Sequence, residues 1–419
     1  MKQHLIDPEI CIRCGACEEA CAINAITHDA QNYVVRPDVC RTDMACVPVC
    51  PTGAIDNWIR VLSAEAYSIE EQFTWNSLPE EAPDLKALES AAGDGGEEKD
   101  GTGELDILTV ETGQDGDVLD GQPNTAAGSS VPPWSAAHPF VNLYTHKQVA
   151  IATVAGNHRI TEEDTESDIH HIVLDFGNLP FPVLEGQSLA IFPPGLDANG
   201  RAHHARQYSI ASPRDGERPG YNNLSITVKR VTKDFDGNPV VGVCSNYLCD
   251  LRRGDTVRLI GPLGSTFLMP NLKQANLLMI CTGTGAAPMR AMTERCRRLK
   301  KTHEFDGRLM LFFGARTQRE LPYFGPLMRL PKDLIDVNLA LSREPGKPKR
   351  YVQDLIREYS ADVWALLQQE HTYIYVCGLK GMERGVLDAL KEVVEAGGQN
   401  WQVVHAALKT QGRLHFETY

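Results

Sequence analysis

The chain has 419 residues, a formal net charge of −14 and a sequence pI near 5.4. This length exceeds one ordinary core and predicts two or three domains. The acidic balance argues against nucleic acid as a partner, because duplex binding requires Lys and Arg to neutralise phosphates. No apolar run approaches the roughly 20 residues that span a bilayer, and the first residues lack a cationic and apolar leader. We therefore expect a soluble, cytoplasmic protein that binds no membrane.

Seven of the twelve cysteines lie in the first 50 residues, at spacings that indicate metal sites. Four follow the pattern C-x2-C-x2-C-x3-C, and another is followed directly by proline. Three thiolates from one tight loop can hold three corners of a cubane cluster, while the fourth corner needs a remote cysteine. The sequence therefore predicts a [4Fe–4S] cluster held by Cys11, Cys14, Cys17 and Cys50. A disulfide scaffold fits poorly, because such scaffolds belong to small exported domains.

The second cysteine run departs from this pattern, because Asp43 stands where its middle cysteine is expected. Cys21, Cys40 and Cys46 supply three thiolates, and the Asp43 carboxylate can add a hard oxygen ligand. The second site is then a [4Fe–4S] cluster with one carboxylate ligand or a [3Fe–4S] cluster with an empty corner. The alternative for this second site is an empty structural site, and tetrahedral zinc is the alternative for the cysteine constellation as a whole. Residues 1–60 resemble bacterial two-cluster ferredoxins over their whole length, including the ending PTGAI, which implies that fold.

Residues 61–139 differ in composition and are rich in Gly, Ser, Pro and acidic residues. They carry 17 Asp and Glu against two Lys, so their charge of −15 accounts for the negative balance of the chain. Such a composition buries too little apolar surface to offset the entropy of ordering. We expect a disordered acidic linker, with a partner-docking segment as the alternative.

Residues 140–273 contain alternating apolar and polar runs separated by turn residues, which predicts the antiparallel strands of a barrel. One run, RQYS, contains Arg206, Tyr208 and Ser209. A flat aromatic ring can stack on an isoalloxazine, an Arg can pair with a pyrophosphate, and a Ser hydroxyl can reach the flavin N5 region. Gly242 and the residues after it offer backbone donors at a helix N-terminus, which suits a diphosphate. These features indicate a flavin site.

In residues 274–419 buried strand-like runs alternate with helical segments, which predicts a doubly wound parallel sheet. The turn TGTGAAP contains Thr282, Gly283, Gly285 and Pro288; it follows a buried strand and opens a helix. Its small residues let the backbone approach a pyrophosphate. The helix that follows carries six Arg and Lys. We expect these side chains to form a solvated face, with binding of an acidic partner or of the acidic linker as the alternatives.

The 2′-phosphate of NADP requires cations and hydroxyls beyond those that NAD needs. Arg343 and Lys349 can pair with this phosphate, and Ser342 can hydrogen-bond it. Tyr351 can stack on the adenine. The sequence therefore predicts NADPH rather than NADH.

The motifs EGQSLAIFPPG, RQYSIAS, TVKR and GVCSNYLCDL occur in the order found in plant-type ferredoxin–NADP reductases, and residues 140–419 resemble that family. The resemblance implies FAD, held by Arg206, Tyr208, Ser209, Lys229, Val243, Cys244 and Ser245. It also places the segments S-R-E and K-x-Y-x-Q, the latter including Gln353, at the 2′-phosphate.

The same resemblance implies the residues around the transferred hydride. Cys377, followed by Gly378, lines the nicotinamide site, and the terminal Tyr419 covers the flavin ring until nicotinamide displaces it. Ser209 and Glu417 complete the catalytic site. These are positioning residues, because hydride transfer needs alignment of the two cofactors more than an acid or base.

NADPH delivers two electrons together and each cluster accepts one, while a flavin can hold either number. The predicted order is therefore NADPH, FAD, clusters and an external acceptor. The whole chain resembles the reductase components of benzoyl-CoA 2,3-epoxidases, which implies a separate di-iron epoxidase component as acceptor in aerobic benzoate degradation. The sequence has no Glu-x-x-His pair of the kind used by helical di-iron sites. A general NADPH:ferredoxin-type reductase and a non-catalytic electron-transfer module are the alternatives.

Overall fold

The computed structural model describes residues 2–61, 66–80, 127–234 and 237–419. An N-terminal domain, a barrel and a parallel-sheet domain follow one another along the chain. Among the helices of the described residues, none is long and apolar enough to cross a membrane.

The N-terminal domain consists of two antiparallel strand pairs and two short helices. Its elements are β1 (Lys2–Leu5), α1 (Ala16–Glu19), β2 (Ile26–His28), β3 (Tyr33–Val35), β4 (Asn57–Arg60) and α2 (Ile69–Phe73). β1 pairs with β4 and β2 pairs with β3, so the two halves of the domain close on each other. The core between the two halves is rich in thiols, because five cysteines are buried there together with aliphatic residues.

The second domain is a six-stranded antiparallel barrel. Its elements are β5 (Ala150–Arg159), β6 (Ile169–Asp175), β7 (Ser188–Phe192), β8 (Arg206–Ser209), β9 (Asn223–Lys229), α3 (Val243–Asp250) and β10 (Thr256–Leu263). The strand order is β8-β7-β10-β5-β6-β9. The Ala211 amide donates to the Ser225 carbonyl oxygen at 2.8 Å, which joins the residues after β8 to β9 and closes the barrel. The predicted antiparallel barrel is confirmed.

The third domain is a five-stranded parallel sheet with helices on both faces. Its elements are β11 (Asn276–Thr282), α4 (Ala286–Lys301), β12 (Leu309–Ala315), α5 (Phe324–Arg329), β13 (Ile335–Leu341), α6 (Val352–Glu358), α7 (Ser360–Leu367), β14 (Thr372–Gly378), α8 (Glu383–Ala396), α9 (Trp401–Thr410) and β15 (Leu414–Thr418). The strand order is β13-β12-β11-β14-β15, so the direction of winding reverses between β11 and β14. Ligands of open parallel sheets bind at the carboxyl ends of the strands beside such a reversal. The predicted doubly wound sheet is confirmed.

The segment expected to be a disordered linker packs on folded domains at both of its ends. Residues 66–80 pack on the N-terminal domain, where the Asn32 side-chain amide donates to the carbonyl oxygens of Gln72, Phe73 and Trp75 at 2.9–3.1 Å. Residues 127–139 lie on the third domain, with the Ser129 amide donating to Leu414 O at 2.6 Å. The aromatic and aliphatic residues near the ends of this segment supply enough apolar surface to pack. The remaining linker prediction, for residues 62–65 and 81–126, falls outside the described residues.

The expected solvated face of α4 is wrong for three of its arginines. Arg290 forms an ion pair with Glu217 of the barrel at 2.7 Å, and Arg297 forms one with Glu9 of the N-terminal domain at 3.2 Å. Arg298 donates to the Glu217 carbonyl oxygen at 2.8 Å. Acidic residues distant in sequence meet this face, so α4 lies where the three domains join.

Candidate functional site

The carboxyl ends of three parallel strands bring predicted site residues together. In the strand register Cys281 of β11 lies beside Cys377 of β14, and Cys377 lies beside Glu417 of β15. The barrel approaches this edge from the other side, and the Ser209 hydroxyl donates to Glu417 Oε2 at 3.1 Å. Ser209, Cys377 and Glu417, which are more than 200 residues apart at the extremes, therefore share one site.

The environment of this site perturbs its titratable groups. Burial raises the pKa of Glu417 to about 7, and the hydrogen bond from Ser209 opposes part of that rise. Burial also raises the pKa of the Cys377 thiol well above its ordinary value. A neutral thiol and a carboxyl group that titrates near neutrality therefore border the position between the two domains.

The C-terminal residue is held at the mouth of this site. The Tyr419 amide donates to Gly378 O at 3.0 Å, and its hydroxyl lies 2.6 Å from Thr284 Oγ1 in the glycine-rich turn. Tyr419 as a whole residue is 56% exposed, while burial raises the pKa of its hydroxyl. The terminal residue is thus anchored both by its backbone amide and by its hydroxyl.

The glycine-rich turn packs directly on the neighbouring strand end. A Cβ atom at Gly285 would lie 2.2 Å from the Cys377 carbonyl oxygen, and one at Gly378 would lie 2.3 Å from Thr282 Oγ1. Gly378 also has φ +141°, which disfavours any other residue. Pro288 occupies the first turn of α4, where its missing amide proton is tolerated. These residues shape the turn so that its backbone remains accessible.

The predicted flavin residues lie on β8, β9 and α3 of the barrel. Tyr208 is half-buried, and burial together with the nearby Cys244 thiol raises its pKa. Arg206 is exposed and its guanidinium donates to main-chain carbonyls of His204 and Ala205, both at 3.4 Å. Val243 is 48% exposed at the N-terminus of α3.

Two predicted flavin residues, Ser245 and Lys229, make contacts in the structure beyond those that the resemblance implies. The Ser245 hydroxyl accepts from the Val231 amide at 3.1 Å and donates to Gly242 O at 3.3 Å, so it holds the loop before α3. Lys229, at the end of β9, lines the cleft that contains the predicted nucleotide residues. Lys229 therefore lies between the two halves of the site.

One open cleft collects most of the predicted nucleotide residues. They share a position along the carboxyl edge of β11, β12 and β13: Thr282, Gly283, Ser342, Arg343, Lys349, Tyr351 and Gln353. Arg343 and Lys349 are exposed, and within the described part of the chain neither has an acidic partner. The cleft therefore presents free positive charge at the place where the sequence predicts a phosphate.

The two predicted cluster sites are separate cavities. The first is lined by Cys11, Cys14, Cys17 and Cys50. The second is lined by Cys21, Cys40, Cys46 and Asp43. No three His, Cys, Asp or Glu side chains among the described residues converge on a point that would hold a single metal ion. Each predicted set of four side chains therefore borders its own cavity.

Comparison with known proteins supports both halves of the chain. The family described as an oxidoreductase NAD-binding domain matches residues 279–388, and the family described as a 4Fe-4S dicluster domain matches residues 10–54. The ferredoxin–NADP reductase of the Cyanophora paradoxa cyanelle is 39% identical over 290 residues, which cover 67% of this chain and 79% of that protein. The chain belongs to the ferredoxin–NADP reductase family. A further relative in this family, from Spirulina sp, is 36% identical over 67% of this chain and 98% of that protein.

Solved structures of ferredoxin–NADP reductases share the fold of residues outside the N-terminal domain. The Plasmodium falciparum enzyme is 23% identical, with a TM-score of 0.54, and 67% of this chain covers its whole length. A mutant form of that enzyme, solved with 2′P-AMP, is 25% identical with a TM-score of 0.54. The two-domain arrangement of barrel and parallel sheet is therefore that of the family.

Membership of this reductase family establishes the cofactors. Ferredoxin–NADP reductases bind FAD and NADP, and the dicluster domain indicates 4Fe-4S iron–sulfur chemistry. The structure fits these groups through its two thiol-lined cavities, its glycine cradle at Gly285 and its cationic cleft. The protein is an NADP-dependent oxidoreductase with an attached ferredoxin domain, and it transfers electrons to a redox partner.

Sequence reasoning missed Arg316, which lines the nucleotide cleft of this reductase together with Arg350 of the predicted cationic segment. Arg316 is paired with Glu166, and Arg350 is paired with Glu358. Arg316 follows β12 in the segment GARTQRE, where a position just after a parallel strand was the available signal. Leu379, after β14, also lines the cleft.

Proposed function

We propose that the chain oxidises NADPH and passes electrons through FAD and its iron–sulfur clusters to a separate di-iron oxygenase component. The observation that carries this proposal is the direct contact between the ferredoxin and reductase domains. Arg218 of the barrel donates to both carboxylate oxygens of Asp56 at 2.8 and 2.9 Å, and to Val47 O at 3.0 Å. Val47 and Asp56 flank Cys50, a predicted ligand of the first cluster. The segment that carries Cys50 therefore rests against the barrel.

We assign the cationic cleft to NADPH. Arg343 and Lys349 supply charge without internal partners, Ser342 adds a hydroxyl, and Tyr351 is 48% exposed, so that a ring can stack on it. The related enzyme was solved with 2′P-AMP, which supports a 2′-phosphorylated nucleotide as the ligand of this fold. NADPH is accordingly the proposed donor in preference to NADH.

We assign the barrel surface to FAD. Tyr208 offers a ring face, Arg206 offers an exposed guanidinium, and the N-terminus of α3 at Val243 offers main-chain donors beside Cys244 and Ser245. Lys229 adds a cation where flavin and nucleotide sites meet.

When bound, FAD would link the two-electron donor NADPH to the one-electron clusters, because a flavin can hold one or two electrons. The residues of this chain would hold the two cofactors in position. Gly285 and Gly378 bring the turn and the strand end together, and Cys377 fills the space beneath without charge. Ser209 and Glu417 hold a proton between them beside the flavin position. By the family resemblance, Tyr419 would cover the site until nicotinamide displaces its ring.

We assign Cys11, Cys14, Cys17 and Cys50 to the first [4Fe–4S] cluster, and Cys21, Cys40, Cys46 and Asp43 to the second site. Asp43 is exposed and Asp43 Oδ1 accepts from the Ala45 amide at 3.2 Å, which leaves its other oxygen available. The second site is a [4Fe–4S] cluster with a carboxylate ligand or a [3Fe–4S] cluster.

The proposed acceptor is the di-iron component of a benzoyl-CoA 2,3-epoxidase in cytoplasmic, aerobic benzoate degradation. This proposal rests on the resemblance of the whole domain arrangement to reductases of that system. The alternative is a general NADPH:ferredoxin-type reductase that serves several acceptors.

The test is reconstitution under oxygen with NADPH, benzoyl-CoA and a purified di-iron epoxidase component. The proposal expects NADPH oxidation coupled to epoxide formation, and no coupling when the ferredoxin domain is inactivated by Cys50→Ala. Equal reduction of unrelated ferredoxins, with no epoxide from the di-iron component, would favour the general reductase.

A further inference from the structure

Two arginines from different domains meet beside the first cluster cavity. Arg13 lies in the loop between Cys11 and Cys14, and Arg13 Nη2 donates to Asp29 O at 3.3 Å. Arg329 ends α5 of the reductase, and Arg329 Nη2 donates to Gln31 O. Both side chains line the same interdomain groove. The ferredoxin domain and the reductase thus each contribute one guanidinium to this groove.

Among the described residues the charge of this pair is only partly balanced, because the Asp29 carboxylate acts on Arg329 from beyond ion-pair distance. Arg13 Nε and Arg329 Nη1 are buried and have no hydrogen-bond partner among the described residues. No carboxylate in the described ranges lies within ion-pair distance of either guanidinium. Burial and the charge of Arg13 lower the pKa of Arg329, whereas the Cys11 thiolate and the Asp29 carboxylate act in the opposite direction. Two like charges held together without an anion are costly unless a negative group lies close by.

The first cluster would supply that negative charge. A cubane with four thiolate ligands is anionic, and both guanidiniums act electrostatically on Cys11. One-electron reduction adds one negative charge while no bond is made or broken. The electron comes from the flavin that NADPH has reduced. Nearby positive charge therefore favours the reduced form, since net charge and surroundings set the potentials of such clusters.

We propose that Arg329 and Arg13 form a cationic clamp that raises the reduction potential of the first cluster when the ferredoxin domain is docked. Because Arg329 belongs to the reductase, undocking removes its charge from the cluster. The docked domain then accepts an electron more readily, and the released domain donates it more readily to the acceptor. This inference rests on the proposed function only in assigning a cluster to Cys11, Cys14, Cys17 and Cys50.

The experiment is a dithionite-mediated redox titration of the full chain, followed by electron paramagnetic resonance of the first cluster. Arg329→Gln is expected to lower the midpoint potential, with a roughly tenfold change in the ratio of reduced to oxidised cluster, or ~59 mV for a one-electron couple. Arg329→Lys keeps the charge and is expected to restore most of the potential. High salt is expected to shift the unsubstituted protein towards the Arg329→Gln value, because it screens the interdomain ion pairs.

Arg384→Gln is the matched control. Arg384 is 95% exposed on α8, on the opposite face of the sheet from α4, and its loss changes the net charge equally. An unchanged potential in Arg329→Gln, or an equal shift in Arg384→Gln, would overturn the clamp. Dithionite reduces the cluster without NADPH, so failure of NADPH to reduce the clusters would contradict the proposed function while leaving the clamp measurable.

Discussion

The cluster sites and the hydride site are built in opposite ways. All eight assigned cluster ligands come from residues 11–50, and each set of four lines one cavity. The hydride site joins Ser209 of the barrel to Cys377 and Glu417 at two strand ends of another domain. A site made of a few strong metal bonds should be lost when one ligand is removed. A site made of many weak contacts should lose activity in steps.

The largest expected effect is the loss of a single cluster ligand. Cys50→Ala should abolish the [4Fe–4S] signal of the first cluster and lower the iron content, because the three remaining thiolates leave one iron without a protein ligand and hold at most a three-iron cluster. Iron and sulfide analysis and electron paramagnetic resonance of the dithionite-reduced protein measure this. Cys249→Ala removes a buried thiol outside both cavities and should keep the full iron content. Full iron in Cys50→Ala would show that this cysteine is not a ligand.

The nucleotide cleft should respond in a graded way. Arg343→Gln should raise KM for NADPH by about 10- to 100-fold, because a charge-assisted hydrogen bond contributes roughly 1.5–3 kcal/mol. The KM for NADH and kcat should change little, since NADH has no 2′-phosphate. Ferricyanide reduction measures both without the ferredoxin domain, and Arg384→Gln is the control. Equal losses with NADPH and NADH would place Arg343 elsewhere in the nucleotide site.

Glu417 should give the hydride site a pH dependence. Its pKa is raised to about 7, so the carboxyl group is neutral below this pH and ionises above it. A buried negative charge beside the flavin opposes hydride arrival, and flavin reduction by NADPH should slow as pH rises through about 7. Ser209→Ala removes the hydrogen bond that favours the ionised form, so the pKa should rise and the slowing should move to higher pH.

Stopped-flow measurement of flavin bleaching across pH tests this prediction. Glu417→Gln cannot ionise and should abolish the transition. A transition that persists in Glu417→Gln would have to come from another group.

The smallest expected effect is at the domain contact. Arg218→Gln should slow NADPH-dependent cluster reduction a few-fold and leave flavin reduction unchanged, because the Arg218–Asp56 pair contributes about 1–2 kcal/mol at a partly exposed interface. In a double-mutant cycle, adding Asp56→Asn should cost little more. Additive losses from the two substitutions would show that the pair does not hold the domains together.

The same contrast explains what the sequence could predict. The cysteine spacing is local, so both ligand sets could be identified from the order of residues alone, and TGTGAAP after a buried strand indicated the nucleotide turn. The buried ion pairs of Arg290 and Arg297 could not be predicted, because Glu217 and Glu9 meet α4 only after three domains pack. Arg316 was missed because only the folded sheet edge brings it beside Ser342. Tyr208 and Cys244 could be assigned to one flavin site only through the family motifs that contain them, and not from their spacing in the sequence.

Electron transfer from NADPH to the first cluster within one chain is tested most directly by anaerobic addition of NADPH, with absorbance and electron paramagnetic resonance recorded on the same sample. We expect the flavin to bleach and the signal of the reduced first cluster to appear, as it does with dithionite. Bleaching of the flavin with no cluster signal, in a protein whose clusters dithionite reduces, would contradict the proposed electron path.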